Sequence, residues 1–260
     1  MRLQISMCLL LAACGGGNPG VPDATLADAA KPVDAPTEAA IDAMGPDLSC
    51  LGQPPPSGGS GPIAITGKVF AVDHYAVAPT TATVELRRRS DDGLVGQATS
   101  AAADGAFSIA APGPVDGYFV VTANGKLPTR ASSDTPLTAD QDALLLVADA
   151  AELGRWYADA GGSFASGART VVAAVRDCAR EPATGSTASI APAPASVVYY
   201  DDAAKRWQPA LAASTNGFVL ATSTAASVAI TPRLGGTAFP VKQVAALPDT
   251  LTLVVISPYE

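Results

Sequence analysis

Asp104-Gly105-Ala106-Phe107-Ser108-Ile109, followed by Asp116-Gly117-Tyr118-Phe119-Val120-Val121-Thr122-Ala123, is the stretch that decides the fold. Each half opens on an Asp-Gly step that turns the chain, then runs into β-branched and aromatic residues with the period of a strand. Phe107 and Ile109 point inward on this reading. Working outward, residues 63–69 alternate, and residues 83–87 alternate again with Val84 and Leu86 inward. Asp91-Asp92-Gly93 turns the chain into a strand at residues 94–99, and residues 73–79 read as a loop. Short strands punctuated by Gly, Asp and Pro predict an all-β sandwich.

Four motifs in this order carry a resemblance: Gly67-Lys68-Val69, Thr83-Val84-Glu85-Leu86, the Asp104–Ile109 stretch, and Tyr118-Phe119-Val120-Val121-Thr122-Ala123-Asn124-Gly125. Together they resemble the carboxypeptidase regulatory-like domain over residues 63–130. The resemblance implies a transthyretin-like (prealbumin-like) sandwich. The loop at residues 73–79 departs from the short Gly/Pro turn usual in that family.

Beyond it, residues 143–148 predict a buried strand, and a helix follows. Asp149, with Glu152 three residues on, is a capping pattern. Leu153, Trp156 and Tyr157 share one face, expected to pack on the core, and Gly161-Gly162 ends the helix. A second module then repeats the first. Val171–Asp177 corresponds to Gly67–Asp73, Pro182–Ile190 to Pro79–Leu86, and Thr215-Asn216-Gly217-Phe218 stands where Asp104-Gly105-Ala106-Phe107 stood. Strands are expected again at residues 226–231 and 251–256. The division is thus 63–148 for the first sandwich, 149–162 for the connecting helix, and 163–260 for the second sandwich. Both modules are alanine-rich and poor in aromatics, so thin cores are expected.

Residues 1–13 have a secretory-signal layout, with Arg2 before an apolar run too short to span a bilayer. Leu11-Ala12-Ala13-Cys14 resembles the lipobox of bacterial lipoproteins. That resemblance implies cleavage before Cys14 and acylation of its sulfur and amine, anchoring the chain in a membrane. Gly15 stands where lipoproteins kept on the inner membrane often carry Asp, so a bacterial outer-membrane location is expected, with the face open. Residues 14–62 are rich in Pro, Ala, Asp and Gly and predict a disordered tether, with a flexible-coil reach of roughly 40 Å. With Cys8 in the signal and Cys14 acylated, Cys50 and Cys178 remain. In an oxidising compartment they are expected to pair, against the alternative of free or intermolecular thiols. A loop this long contributes up to about 4–5 kcal/mol in the chain-entropy model.

Net charge is −8, much of it in the tether, where six acids face Lys31 alone. A nucleic-acid partner is not expected, because phosphate binding needs a clustered positive surface. His74 is the one histidine, which leaves too few nitrogen ligands for a zinc site, and no cofactor or metal is expected. The pairs Asp91-Asp92, Asp140/Asp142 and Asp201-Asp202 read as turn residues, without EF-hand spacing. Tyr199, Tyr200 and Trp207 are candidates for a ligand surface, since aromatic faces stack on sugar rings, with packing as the alternative. The expected function is therefore a non-enzymatic, lipid-anchored envelope protein whose sandwiches serve binding, adhesion or assembly with a protein or glycan partner. The alternatives are a cell-surface hydrolase using His74 with a serine and an aspartate, and a purely structural spacer.

Overall fold

A computed structural model describes residues 45–59 and 61–260. The signal segment, Cys14 and most of the expected tether lie outside the described residues.

The elements run β1 (Ile63–Asp73), β2 (Ala76–Pro79), β3 (Ala82–Arg88), β4 (Leu94–Thr99), β5 (Ala106–Ala111), β6 (Gly117–Ala123), β7 (Thr129–Ser133) and β8 (Gln141–Ala148). Helix α1 (Ala150–Asp159) follows, then β9 (Arg169–Val175), β10 (Thr187–Ala191), β11 (Ser196–Asp201), β12 (Arg206–Gln208) and β13 (Phe218–Thr222). The chain closes with β14 (Ser227–Leu234), β15 (Thr237–Ala238), β16 (Lys242–Ala245) and β17 (Thr250–Ile256). The fold is all-β with one short helix, and the two expected sandwiches are present.

They are fused rather than strung in line. One nine-stranded sheet runs β12-β11-β13-β9-β17-β7-β6-β3-β4 through both. Its junction is β17, which lies parallel to β9 of its own unit and parallel to β7 of the first. A smaller sheet, with β1 between β8 on one side and β5 and β2 on the other, packs on one face of it. A third, with β14 paired to β10, β15 and β16, packs on the other face over the second unit. Two cores result. Ile65, Val84, Leu86, Phe119, Val172, Leu220 and Leu253 belong to one, and Val171, Ala173, Val219, Ile230, Val254 and Ile256 to the other.

This layering accounts for sequence runs that do not alternate. In β9, Val171 and Ala173 face one core while Val172 and Ala174 face the other, and β13 and β17 do likewise. Strands buried on both faces read as continuous apolar runs, and parallel pairing is found where both faces are covered. Small residues therefore do not mean thin cores here; the central strands are wrapped twice.

The duplication shows in the pairing. β1 is parallel to β8 and antiparallel to β5; β9 is parallel to β17 and antiparallel to β13. β3-β6-β7 is matched by β10-β14-β16. Val69 N donates to Gly105 O at 2.9 Å, and Val175 N to Gly217 O at 2.8 Å. Val175 is therefore the counterpart of Val69, two residues from the alignment of Val171 with Gly67. A slip of two keeps every side chain on the same face, so the alternation alone does not fix it. The match of Pro182 with Pro79 is right: Thr80 N donates to Val69 O, and Ala183 N to Val175 O. β4 pairs with β3, whereas β11 pairs with β13, so the fourth strand has changed sheet in the second unit.

Candidate functional site

The expected loop at residues 73–79 is a hairpin. β1 and β2 are joined by His74 and Tyr75 alone, at φ 49° and 60°. Two consecutive positive φ values suit a tight hairpin but are normally supplied by Asn-Gly or Asp-Gly. The reason His-Tyr is held here lies on α1. Glu152, fully buried, accepts from His74 N (2.8 Å) and Tyr75 N (3.2 Å), and also from Arg155 Nε (2.7 Å) and Trp156 Nε1 (2.7 Å). Consecutive N–H groups in a turn form an anion-binding concavity, and the buried carboxylate fills it. Half of the capping expectation holds: Asp149 accepts from Glu152 N at 2.8 Å, while the Glu152 carboxylate serves the hairpin instead of the helix start.

Around this carboxylate three elements converge. The Tyr75 hydroxyl donates to Asp159 on α1, which also accepts from Arg206 at the start of β12. Burial, and then the hydrogen bond to Asp159, push the Tyr75 phenol well above its ordinary pKa. Trp207 of β12 meets Trp156 edge-on with ring centroids 5.8 Å apart, and Tyr200 of β11 meets Trp207 at 5.3 Å. Burial, with Asp202, Asp201 and Glu152 adding charge, raises the Tyr200 phenol to about 12.

Behind them lies an apolar cavity of about 70 Å³ between the β1 sheet and the nine-stranded sheet. Its walls include Val72, Val77, Leu146, Ala174, Phe218 and the two tryptophans. Tyr75 lines both this cavity and a polar surface groove formed by His74, Arg155, Asp159, Lys205 and Arg206. The groove's charges are paired: Arg155 with Asp73 and Glu152, Lys205 with Asp202, and Arg206 with Asp159.

The residues singled out in sequence fall as follows. His74 is exposed, with its Nδ1 2.8 Å from Asp73 Oδ1. Its hydrogen bonds run to Asp73 and Glu152, and among the described residues no serine lines its groove. Tyr200 and Trp207 lie inside the body, each only 4% exposed, so they form a cavity wall and not a surface platform. Tyr199 points to the opposite face, where it packs against the second core, with its hydroxyl accepting from Ala188 N at 3.4 Å. Glu152 and Tyr75 were not legible as site residues. The only sequence signal for Glu152 was its place after Asp149, which points to a cap.

Cys50 and Cys178 form a disulfide, with Cα atoms 5.6 Å apart. It is one part of a larger attachment. Cys178 N donates to Asp47 O, Gly52 N to Pro258 O, and Glu260 N to Gln53 O, while Leu48 and Leu51 pack on the second core. Residues 45–53 are thus tied to both the β9–β10 connection and the last residues of the chain. Among the described residues, no group of three or more His, Cys, Asp or Glu side chains is placed to hold a metal ion. Among the same residues, no helix is long and apolar enough to cross a membrane.

No protein-family model matches the chain, and no curated protein matches it. Solved structures that resemble it include the shaft pilin spaA from Lactobacillus rhamnosus GG, at 9% identity over 76% of this chain and 98% of that one, with a TM-score of 0.25. The minor pilin GBS52 of Streptococcus agalactiae matches at 8% identity over 76% of this chain and 96% of that one, TM-score 0.24. The full-length major pilin RrgB from Streptococcus pneumoniae matches at 9% identity over 77% and 48%, TM-score 0.23. At scores this low no property of this chain follows from the likeness.

Proposed function

We propose that this protein is a non-enzymatic envelope lipoprotein that works by contact, as a binding, adhesion or assembly module held to the outer membrane through an acylated Cys14. The observation that carries the reading is the attachment at residues 45–53. The segment that leads from Cys14 to the body is fastened by a disulfide to Cys178 and by backbone hydrogen bonds to Pro258 and Glu260. Tension applied at an anchor on one side and at a bound partner on the other then passes through a covalent bond. The carboxypeptidase regulatory-like resemblance fits the same reading, and the partner is a protein or a glycan.

The His74 hydrolase is the weaker alternative, because His74 is exposed and its aspartate is shared with Arg155 at 2.7 Å. Among the described residues, no serine lines the groove beside it. The test is twofold. Intact mass of the mature chain should show diacylglyceryl-modified Cys14 as its first residue, and cross-linking on whole cells should recover one recurrent protein or glycan partner. An unmodified N-terminus elsewhere sinks the anchoring; esterase or peptidase activity lost on His74→Ala sinks the non-enzymatic reading.

A further inference from the structure

We infer that the surface groove between the open face of the first sandwich and the β16–β17 connection of the second binds an acidic sugar, with Arg130 taking its carboxylate. The inference rests on the reading of the protein as a contact module and names the partner as a glycan of that chemistry.

The groove measures about 400 Å³, within the ~300–1,000 Å³ usual for a small-ligand site. Its floor is the outward face of the nine-stranded sheet. Val84, Leu86, Phe119, Val121 and Ala131 turn into the core. The alternate residues Glu85 and Arg87 of β3, Tyr118 and Val120 of β6 and Arg130 of β7 therefore line the other side. One wall is Leu247, 44% exposed, with Thr250 beside it. The floor belongs to the first unit and the wall to the second, so the groove depends on β17 joining them.

Within it, one cation is left without an anion. The Arg130 guanidinium lies 3.7 Å from the centre of the Tyr118 ring, and among the described residues it makes no ion pair and no side-chain hydrogen bond. The ring is a favourable neighbour but offers no acceptor oxygen. The cross-strand partners of Arg130 are Val120 and Thr252, neither charged. Both carboxylates of the groove are engaged by Arg87, whose Nε donates to Glu85 at 2.8 Å and whose Nη1 stands 3.7 Å from Asp92. Burial lowers the Arg130 pKa, with Asp92 opposing and Arg89 adding to the effect, so the guanidinium is short of negative charge. Its planar fork of donors matches a carboxylate in two-pronged fashion.

The surroundings select the bearer of that carboxylate. Glu85 and Asp92 flank the site, so a phosphate with a second charge, or a peptide with consecutive acids, meets repulsion that a single carboxylate does not. Val120 and Leu247 offer apolar surface to the flat of a sugar ring. Thr83, Gln97 and Thr122 share the same face of the sheet and suit ring hydroxyls. A glycan in which neutral sugars separate the acidic ones fits all three features.

The test uses the full chain labelled with nitrogen-15 and follows the Arg130 Nε–Hε resonance, identified by its loss in Arg130→Gln. A tetrasaccharide of alternating glucuronate and N-acetylglucosamine should move it along a saturable curve, with a dissociation constant of about millimolar order for one charge-assisted pair on an open surface. The neutral tetramer of N-acetylglucosamine and a tetraglutamate peptide should each bind at least about tenfold more weakly. Read by saturation transfer to the sugar, Arg130→Gln should weaken binding about tenfold or more, and Arg130→Lys by less, since the charge stays and the fork is lost. Val120→Glu places a carboxylate across the strand pair from Arg130, about 4.5–5.5 Å away between Cβ atoms, and should abolish binding while the spectrum stays dispersed. An Arg130 resonance that stays fixed or drifts without saturating overturns the proposal, as do equal binding of the neutral tetramer and unchanged binding to Val120→Glu. Equal binding of tetraglutamate overturns the choice of a sugar and assigns the groove to an acidic peptide. Each of these results leaves the contact reading standing, because that reading is decided separately by cross-linking on whole cells.

Discussion

Glu152→Gln isolates the hinge on which the α1 corner turns. The carboxylate has no exposure and receives four donors, two of them backbone N–H groups of residues at positive φ. The amide keeps one acceptor oxygen and turns the other into an NH₂ that faces donors. Two of the four hydrogen bonds are thereby lost. Each buried donor left without a partner costs about 1–3 kcal/mol, and more where the lost partner was charged, as for Arg155. The expected loss is about 3–5 kcal/mol, a large share of the ~5–15 kcal/mol typical of a folded domain. For a chain of this size, that lowers the melting temperature by roughly 6–20 °C. Urea unfolding followed by tryptophan fluorescence is the assay, since Trp156 is itself one of the donors. A second substitution shows where the energy resides. Placing Asn-Gly at positions 74 and 75 supplies a turn that adopts positive φ unaided. In the Glu152→Gln background it should cost less than the same change in the wild type, giving a coupling of about 1 kcal/mol or more. A Glu152→Gln midpoint within 0.5 kcal/mol of wild type, or strict additivity of the two changes, refutes the account of the carboxylate as the support of the hairpin.

Reduction of the Cys50–Cys178 bond, or Cys50→Ser with Cys178→Ser, should cost about 2–5 kcal/mol and expose residues 45–59 to limited proteolysis; an unchanged digestion pattern counts against the attachment. A Cβ at Gly105 would stand 2.3 Å from Val69 O, and one at Gly217 2.4 Å from Val175 O, both at positive φ. Alanine at either should cost more than the roughly 1 kcal/mol expected at Gly125, which has positive φ but open space, as denaturant midpoints would show. Asp149 sits below the ordinary carboxylate pKa because Lys126 and the Glu152 N–H favour its charge, so its stabilising effect is complete above the unfolded value of about 3.9 and lost as pH falls through the lower folded one. Asp134 behaves oppositely: burial raises its pKa despite Ser257 and Lys242, so acidification through that raised value favours the folded state. Between pH 7 and 3 the loss of stability should therefore be shallower in Asp149→Ala than in wild type and steeper in Asp134→Asn, and the reverse order contradicts both assignments.

Strand existence was legible wherever one face is buried and one is wet. β3 reads Ala-Thr-Val-Glu-Leu-Arg-Arg with alternate residues buried, and the period-2 pattern declares it. The helix was legible too, because Asp149 caps it and Leu153, Trp156 and Tyr157 are all buried. β2 and β7 were not, since short edge and connecting strands carry too few residues to set a period. The hairpin at His74-Tyr75 was hidden for a different reason. Its turn chemistry is supplied 77 residues or more away by Glu152, and local propensity holds no trace of that. The burial of Tyr200 and Trp207 was equally hidden, because what covers them is a helix from the preceding connection.

The fusion of the two sandwiches ties these observations to the proposed role. β17 is the last strand of the chain, and five residues of it pair with β7 while seven pair with β9. Neither sandwich is complete without it, because the first would expose the edge of β7 and the second would lose the partner of β9. The disulfide places the incoming chain beside the residues that follow β17, where Gly52 bonds Pro258 and Gln53 bonds Glu260. Both ends of the described chain therefore meet at the seam where the two units join. The two parallel ladders of β17 thus join the units beside the point where the incoming chain is fastened. That geometry suits a module that must hold its shape while a partner draws on it, and it follows from the position of one strand.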